Sequence, residues 1–555
     1  MAFLGLPVSP VRAELPPDGR GAREWLRERE RERVWRRQWE RRPDVRLGVG
    51  VGEEGIPALP ESEMPCFLIG EIRLDDPSGR LGGVAAAADP PGDPATGRCL
   101  GSRGINQVMA RLQNALIERG YVTTRVLAEA QDLRAGVLTL TLVPGRLRAV
   151  RFSEDSDPRA TAWNAFPGVS GDLVDLRDIE QALENWQRVP TVAAEVRIVP
   201  GAEPGESDLV VVWKQAFPWR LTLSLDDGGT EATGRIQGSV VVSADHLLAL
   251  NDLFYASRSG NLGGGSGRRG TRGATVHYSL PFGYWMLGVT RSTHRYHQSV
   301  AGAYQSYRYR GTGENHEIRL SRLVYRDAVH KTTISLRAYL SQSGNFIDDT
   351  EIEVQRRRMA GWAASIGHRA FLAGAVLDFE LAWRRGTGAW AALVAPEDAF
   401  GEGTARPRIV HGEASLSLPF RLFGRPLRYH GQWRAQWNRT PLVAQDRFSI
   451  GGRYTVRGFD GESILLAERG FLMRNDVSLP FGDGRQEIYA GLDHGRVGGR
   501  SADLLVGRGL TGAVLGWRGA WRALSWDVFT AAPVRKPDGF ATDPVTAGCH
   551  LTLSL

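Results

Sequence analysis

Cysteine, histidine and paired carboxylates are the side chains best suited to covalent, metal or acid–base chemistry. This chain uses the first two sparingly, with 3 cysteines and 11 histidines in 555 residues. The histidines are scattered, and the sequence contains no His-Glu-x-x-His pattern, no nucleophile elbow around a serine, and no Ser, His and Asp cluster. Pairs of carboxylates are scattered too and read as solvated faces rather than acid/base dyads. The Gly-rich run at 258–273 lacks both the strand-to-helix setting and the Lys-Ser/Thr ending of a phosphate cradle. Hydrolysis, metal chemistry and nucleotide binding have little to rest on, and no cofactor is expected. Cys66 and Cys99 lie in one candidate domain, where a bridge would close a loop worth roughly 3–4 kcal/mol on the chain-entropy model. Such a bridge requires an oxidising compartment; two buried thiols in a cytosolic fold are the alternative. Cys549 sits in the last apolar alternation and reads as a small hydrophobe.

The elements that must position these residues change character at Phe217. Beyond it, Leu221, Leu223 and Leu225 alternate with Thr222, Ser224 and Asp226. Ile334, Leu336, Ala338 and Leu340 alternate with Ser335, Arg337 and Tyr339, and Leu416 and Leu418 with Ser415 and Ser417. Each such strand has one apolar and one polar face, as in the wall of a transmembrane β-barrel. A soluble sandwich alternates as well, but single β domains rarely exceed about 250 residues, and 217–555 is longer. At ~10 residues per strand plus turns, that length suits about 16 antiparallel strands. No stretch approaches the ~18–20 apolar residues of a spanning helix. A mean hydropathy of -0.26 is what an alternating wall averages to. Gly 67, Trp 16 and Tyr 13 suit turns and interfacial aromatic girdles. Ser-Leu-Pro-Phe recurs at 279–282, 417–420 and 478–481, each time ending an alternating run. Proline lacks a donor for the sheet ladder, so these are expected at short periplasmic turns, and stretches such as 258–273 are expected as outer loops.

Ahead of the barrel, 22–42 is almost all Arg and Glu, with Trp25, Leu26, Val34, Trp35 and Trp39 set among them. It reads as one helix laced with opposite charges, and a helix polar on every side stands in water or lines a polar channel. Residues 43–64, rich in Gly, Pro and Glu, read as a flexible linker. Two small α+β units follow, 65–145 and 146–216, each with strand, helix, helix and strand signals. In the first, Val108, Leu112, Ala115 and Leu116 recur at helical spacing within 105–119. In the second, a helix is expected at 176–186. At the start, 1–13 reads as the remnant of a signal peptide whose true start lies upstream. The net charge of +7 arises from interleaved residues, 69 basic and 62 acidic, with no zinc-finger, helix-turn-helix or RNA-recognition signature. Nucleic acid is therefore not expected as a partner.

The most specific stretch is Gly451-Gly452-Arg453-Tyr454-Thr455-Val456-Arg457-Gly458-Phe459-Asp460. It resembles the Val-Arg-Gly-Phe/Tyr loop of the outer-membrane barrel-assembly and polypeptide-secretion superfamily, which folds back into the barrel lumen and would here lie around 451–468. In that superfamily the arginine pairs with a carboxylate in a Phe-x-Gly-x-Asp motif on the inner wall. Tyr489-Ala490-Gly491-Leu492-Asp493 matches it with Tyr for Phe. The resemblance thus implies Val456, Arg457, Gly458 and Phe459 as the lumen-loop motif, Tyr489 and Gly491 as the inner-wall motif, and Asp493 as the salt-bridge partner of Arg457. More narrowly, the layout resembles the two-partner secretion transporters (TpsB) of the haemolysin secretion/activation type, ShlB/FhaC/HecB, over nearly all of the chain. That likeness takes in a plug helix with Trp25, Trp35 and Trp39, the linker, two POTRA units and barrel stretches such as Leu247-Leu248-Ala249-Leu250-Asn251-Asp252. The first POTRA unit carries Pro65-Cys66-Phe67 and Arg98-Cys99-Leu100-Gly101, and this cysteine-paired version, with a Cys66–Cys99 disulfide, is similar to transporters of haemolysins and contact-dependent inhibition toxins. One departure is the final Leu553-Ser554-Leu555, where outer-membrane barrels commonly end in an aromatic residue.

The resemblance implies a protein of the Gram-negative outer membrane, embedded in its lipid with the POTRA units in the periplasm. It would recognise and secrete, with or without activation, a large exoprotein bearing an N-terminal secretion domain, such as a haemolysin, adhesin or contact-dependent inhibition toxin. No enzyme activity is expected. Two alternatives remain at this point: a barrel-assembly insertase or translocation module of the same superfamily, which typically carries more POTRA units and no plug helix, and a passive porin, which needs neither POTRA units nor a folded-in loop.

Overall fold

The computed structural model describes residues 17–40, 43–48, 57–263, 267–302 and 304–555. The segment 1–13, read as a signal-peptide remnant, lies outside the described residues.

From Trp219 to Ser554 a 16-stranded antiparallel sheet runs in chain order, and its last strand, Thr546–Ser554, pairs with its first, Trp219–Asp226. Closure leaves no sheet edge, which is what lets backbone amides sit at the depth of hydrocarbon. The alternation assigns the faces. Leu223, Leu225, Val240, Val242, Ile334 and Leu336 are exposed on the outer wall, whereas Tyr255, Tyr296, Tyr309 and Tyr489 are buried within.

Each Ser-Leu-Pro-Phe sits at a strand end, and the register explains how proline is accommodated. The ladder to the preceding strand stops at Leu253↔Ser279, Val376↔Ser417 and Arg428↔Ser478, two residues before each proline. The stagger of tilted strands leaves Pro281 and Pro419 where that neighbour has already ended, and Pro480 lies past the last rung of a neighbour that runs on to Arg425, so no donor is asked of the three on that side. The expected outer loop at 258–273 is corrected. Leu253–Asn261 and Gly270–Phe282 stay paired as far as Gly260↔Arg272, leaving, among the described residues, only 262–263 and 267–269 between them outside strands. Ladder hydrogen bonding overrides the poor strand propensity of the glycines.

A long helix, α1 (Pro17–Trp39), precedes everything else. It begins earlier than the expected 22–42 and ends before it, because Pro17 is tolerated in a first helical turn, where its missing N–H has no partner to lose. Two small units follow. In the first, Val137–Val143 is the central strand, parallel to Glu71–Asp75 and antiparallel to Arg125–Leu127. Helix α2 (Ser102–Glu118) packs Val108, Leu112 and Leu116 in one core with Leu138, Leu140 and Leu142. In the second, Glu206–Gln215 lies between Arg146–Phe152 and Val192–Pro200, and α3 (Leu176–Gln187) buries Ile179, Leu183 and Trp186 against Leu209, Val211 and Trp213.

Two expectations about these units change. Each has one α-helix rather than two: the first position is a short 3-10 turn, Gly82–Ala87, and the second is a set of turns near 157–165. Prolines at 90, 91, 158 and 167 bound both stretches and stop a longer helix. The linker assigned to 43–64 is not free at its described ends. The Val45 and Leu47 amides donate to Glu184 Oε1 at 3.0 Å and Glu180 Oε1 at 2.8 Å on α3. Leu59 is buried in the core of the first unit, and Glu63 accepts from the Gly101, Arg103 and Gly104 amides at the start of α2, at 2.7, 2.9 and 2.9 Å. Backbone hydrogen bonds of this kind hold a segment regardless of its Gly and Pro content.

Candidate functional site in the barrel lumen

The chain between the strands Arg425–Asn438 and Arg469–Phe481 folds inward. Within it Phe448–Ile450 pairs with Leu465–Ala467, and the tight stretch between them holds the Val-Arg-Gly-Phe sequence. Val456 and Phe459 are buried with Phe448, Ile450, Leu465 and Phe540, so an apolar cluster seats the loop against the inner wall. Gly458 has φ 98°, and a Cβ there would lie 2.6 Å from the Ala532 carbonyl. Glycine is required for both reasons.

Arg457 is 3% exposed and is held by two acids on adjacent strands. Its Nε and backbone N–H donate to Asp493 Oδ2 at 2.7 and 2.9 Å, and Nη2 donates to Asp493 Oδ1 at 2.7 Å. Nη2 also donates to Asp476 Oδ1 at 2.5 Å. Asp493 is fully buried. The fork geometry suits guanidinium and carboxylate, and a second acid offsets the cost of desolvating the cation. The register sets Asp476 opposite Gly491, and a Cβ at 491 would run into the Asp476 carboxylate. Glycine at 491 thus makes room for the second acid. Tyr489 stands on the same face, 5.9 Å from the Arg457 guanidinium, and its hydroxyl donates to Asp527 at 2.8 Å.

Sequence reasoning missed Asp476. The available signal was an acid two positions before the Ser of the third Ser-Leu-Pro-Phe, on the same strand face; only the register shows that this face meets Arg457. It also missed Gly512, whose missing side chain leaves space for the Arg457 carbonyl.

Helix α1 threads the same lumen, and its charges meet the wall on many sides. Arg31 Nη1 donates to Gln237 Oε1 at 2.9 Å, Arg36 Nη2 to Glu317 at 3.4 Å, and Arg434 Nη2 to Glu30 at 2.9 Å; Arg33 and Arg37 pair with Glu413. Trp25 packs edge-on against His294, with ring centroids 4.5 Å apart, and Trp39 against Tyr255 at 5.3 Å. Trp35 lies beneath the Arg31 guanidinium. The helix also touches the loop directly, where Arg23 donates to the Glu462 carbonyl. Cys66 and Cys99 are not part of this site. They form a disulfide, with Cα atoms 5.3 Å apart, in the first small unit.

Below the lumen the second unit is bolted to the barrel. Arg188 donates to the Asn251 carbonyl at 2.9 Å and to Ser279 Oγ at 2.6 Å. Arg326, the last residue of the barrel strand Ser306–Arg326, donates to Glu180, Glu184 and the Val45 carbonyl at 3.0, 3.0 and 2.7 Å. The Tyr284 hydroxyl donates to Asp178 at 2.5 Å. Burial pushes the Asp178 carboxyl up to about 6, opposed by that hydrogen bond and reinforced by Asp175 and Asp172.

Comparison with known proteins agrees with this architecture. A family model described as haemolysin secretion/activation protein ShlB/FhaC/HecB matches residues 205–519. Models of an ShlB-type POTRA domain and a POTRA domain match 85–145 and 146–200. The chain is 36% identical over 519 residues to the outer membrane transporter CdiB-2 of Burkholderia pseudomallei (strain 1026b), covering 90% of this chain and 88% of that one. It is 24% identical to the hemolysin transporter protein ShlB of Serratia marcescens, over 80% and 78% of the two chains. The solved structure of CdiB from Acinetobacter baumannii superposes with a TM-score of 0.82 at 27% identity, covering 98% of this chain and 100% of that one. With a closed 16-stranded barrel, POTRA domains within 85–200 and a helix before them, this chain belongs to the haemolysin secretion/activation protein family ShlB/FhaC/HecB, the outer-membrane transporters of two-partner secretion.

Proposed function

We propose that α1 and the loop around 451–468 close the lumen at rest, and that an exoprotein captured in the periplasm by the POTRA units passes through once the helix has left and the loop has loosened. The observation that carries this reading is the nature of the helix contacts. Gln237, Glu317, Glu413 and Arg434 hold α1 through polar and ionic bonds. Such pairs contribute little net stability once water can replace them, so the helix can be exchanged for another polar chain without opening a hydrophobic core. The Arg457 contacts with Asp493 and Asp476 act as the anchor that keeps the loop on the wall.

Capture proceeds by strand addition, which supplies main-chain hydrogen bonds with modest sequence demand. The strand Val192–Pro200 suits it as a sheet edge nine residues long. The Gly201 amide bonds the Glu206 carbonyl, and the Ala216 amide the Thr191 carbonyl, both at 2.9 Å. By that parity odd-numbered residues face the central strand, and Val196 and Ile198 turn their N–H groups outward. The cargo is a large exoprotein with an N-terminal secretion domain, of the haemolysin, adhesin or contact-dependent inhibition toxin kind. Its folding at the cell surface supplies the drive.

Planar-bilayer conductance tests the resting block. Deleting residues 24–41 should raise the open-pore current of a correctly assembled barrel; a current equal to that of the intact protein would refute the plug role.

A further inference from the structure

The periplasmic ends of the barrel strands carry outward aromatic residues of the kind that sit at membrane interfaces. Phe282, 55% exposed, ends one strand and Trp285, 40% exposed, begins the next, on an outer face shared with Val276, Leu287 and Val289. A further residue on this belt comes from outside the barrel. Trp163 of the second POTRA unit packs edge-on against Phe282, with ring centroids 5.8 Å apart, and keeps 61% of its surface exposed.

Its position is imposed by its neighbour. Asn164 is fully buried between two barrel turns: Nδ2 donates to the carbonyls of Leu250 at 2.6 Å and Pro281 at 3.2 Å, Oδ1 accepts from Asn251 Nδ2 at 2.8 Å, and its carbonyl accepts from the Gly283 amide at 2.9 Å. Gly283 has φ 55°, and a Cβ there would stand 3.2 Å from Pro167. With Asn164 locked into the joint, the adjacent indole emerges on the outer side of the wall. On the same outer face, one strand beyond Trp285, the exposed Arg322 guanidinium lies 5.0 Å from the Trp285 ring and makes no ion pair among the described residues.

We propose that Trp163 is a membrane anchor, seated in the headgroup region of the periplasmic leaflet beside Phe282, with Arg322 available to lipid phosphate. The occupant of this patch is phospholipid, because the patch is continuous with the lipid-facing wall. Tryptophan places its ring among acyl carbons and its N–H toward water at such an interface, and arginine beside it meets anionic headgroups. The anchor would set the tilt of the second POTRA unit against the bilayer.

The test uses the full chain in lipid nanodiscs. In a Cys549→Ser background, Trp163→Cys is labelled with bimane, and headgroup-nitroxide lipid is titrated in; Glu129→Cys, an exposed position in the first unit, is the aqueous control. Loss of most of the fluorescence at 163, with the control retained, is the expected result, and equal retention at both sites overturns the proposal. Quenching at 163 that appears only with a nitroxide-labelled secretion-domain fragment would assign the patch to the exoprotein and overturn it too. A second readout leaves the loop aromatic: brominated lipid should quench a smaller fraction of the tryptophan emission in Trp163→Phe than in the unmodified chain, and identical fractions would reject the anchor.

Discussion

At the residue scale, the lumen turns on Arg457 and on the unequal work of its two acids. Asp493 receives Nε, Nη2 and the backbone N–H, whereas Asp476 receives one close bond from Nη2. Removing one partner of a buried ion pair strands the other, at about 3–5 kcal/mol. Asp493→Asn should therefore cost about that much, and Asp476→Asn, which leaves the fork on Asp493 intact, only about 1.5–3 kcal/mol as one lost charged hydrogen bond. Thermal unfolding of the purified barrel, run beside an export assay, measures the ranking; equal losses would show that the two acids share the cation evenly. Arg457, Asp493 and Gly491 stood out in the sequence because their local patterns are specific. Asp476 did not, because an acid on a strand gains a partner only through register, and a shift of one residue would turn it to the other face.

At the element scale, periodicity found α2, α3 and the barrel strands, whose burial patterns follow directly from their apolar spacing. It was less informative where hydrogen bonding to distant residues decides order. The segment 43–48 looks like a linker by composition, yet Glu180 and Glu184 of α3 hold it. The strand edge at Val192–Pro200 allows a clean test of capture. Proline at an outward-facing position deletes a donor offered to a partner strand while sparing the existing ladder. Ile198→Pro should leave thermal stability within about 1 kcal/mol but sharply reduce binding of the exoprotein's secretion domain. Arg197→Pro, which breaks an inward ladder bond, should destabilise the unit by about 1–3 kcal/mol, the cost of leaving the partner carbonyl without its donor. If Ile198→Pro binds and exports normally, capture occurs elsewhere.

At the scale of the whole molecule, the second POTRA unit and the barrel share a buried polar joint, and Asp178 makes it sensitive to pH. Its carboxyl titrates at about 6 in the folded protein against an ordinary value of 3.8, with burial, Asp175 and Asp172 raising it and Tyr284 and Arg80 opposing. A folded value above the unfolded one means that the contribution is fully present below about 3.8, weakens as pH rises, and is lost above about 6. The unfolding midpoint should respond to pH across that window, and Asp178→Asn should remove part of the response by favouring the higher pH relative to the unmodified chain. An identical pH profile in the variant would place the titration elsewhere.

The amino-acid sequence by itself determined that the last two-thirds of the chain alternates as a membrane wall, that two small α+β units precede it, and that an Arg/Glu helix can find comfort only among polar groups. Those are local properties, set by side-chain period and composition within each segment. Tertiary structure alone decided that α1 runs through the lumen, that Asp476 joins Asp493 around Arg457, that the linker's described ends are fastened down, and that Trp163 emerges beside Phe282. Each of these is a contact between separate segments, set by barrel closure and register in the lumen and by the packing of the two small units at the linker and the joint, and no period within a single segment encodes such a meeting.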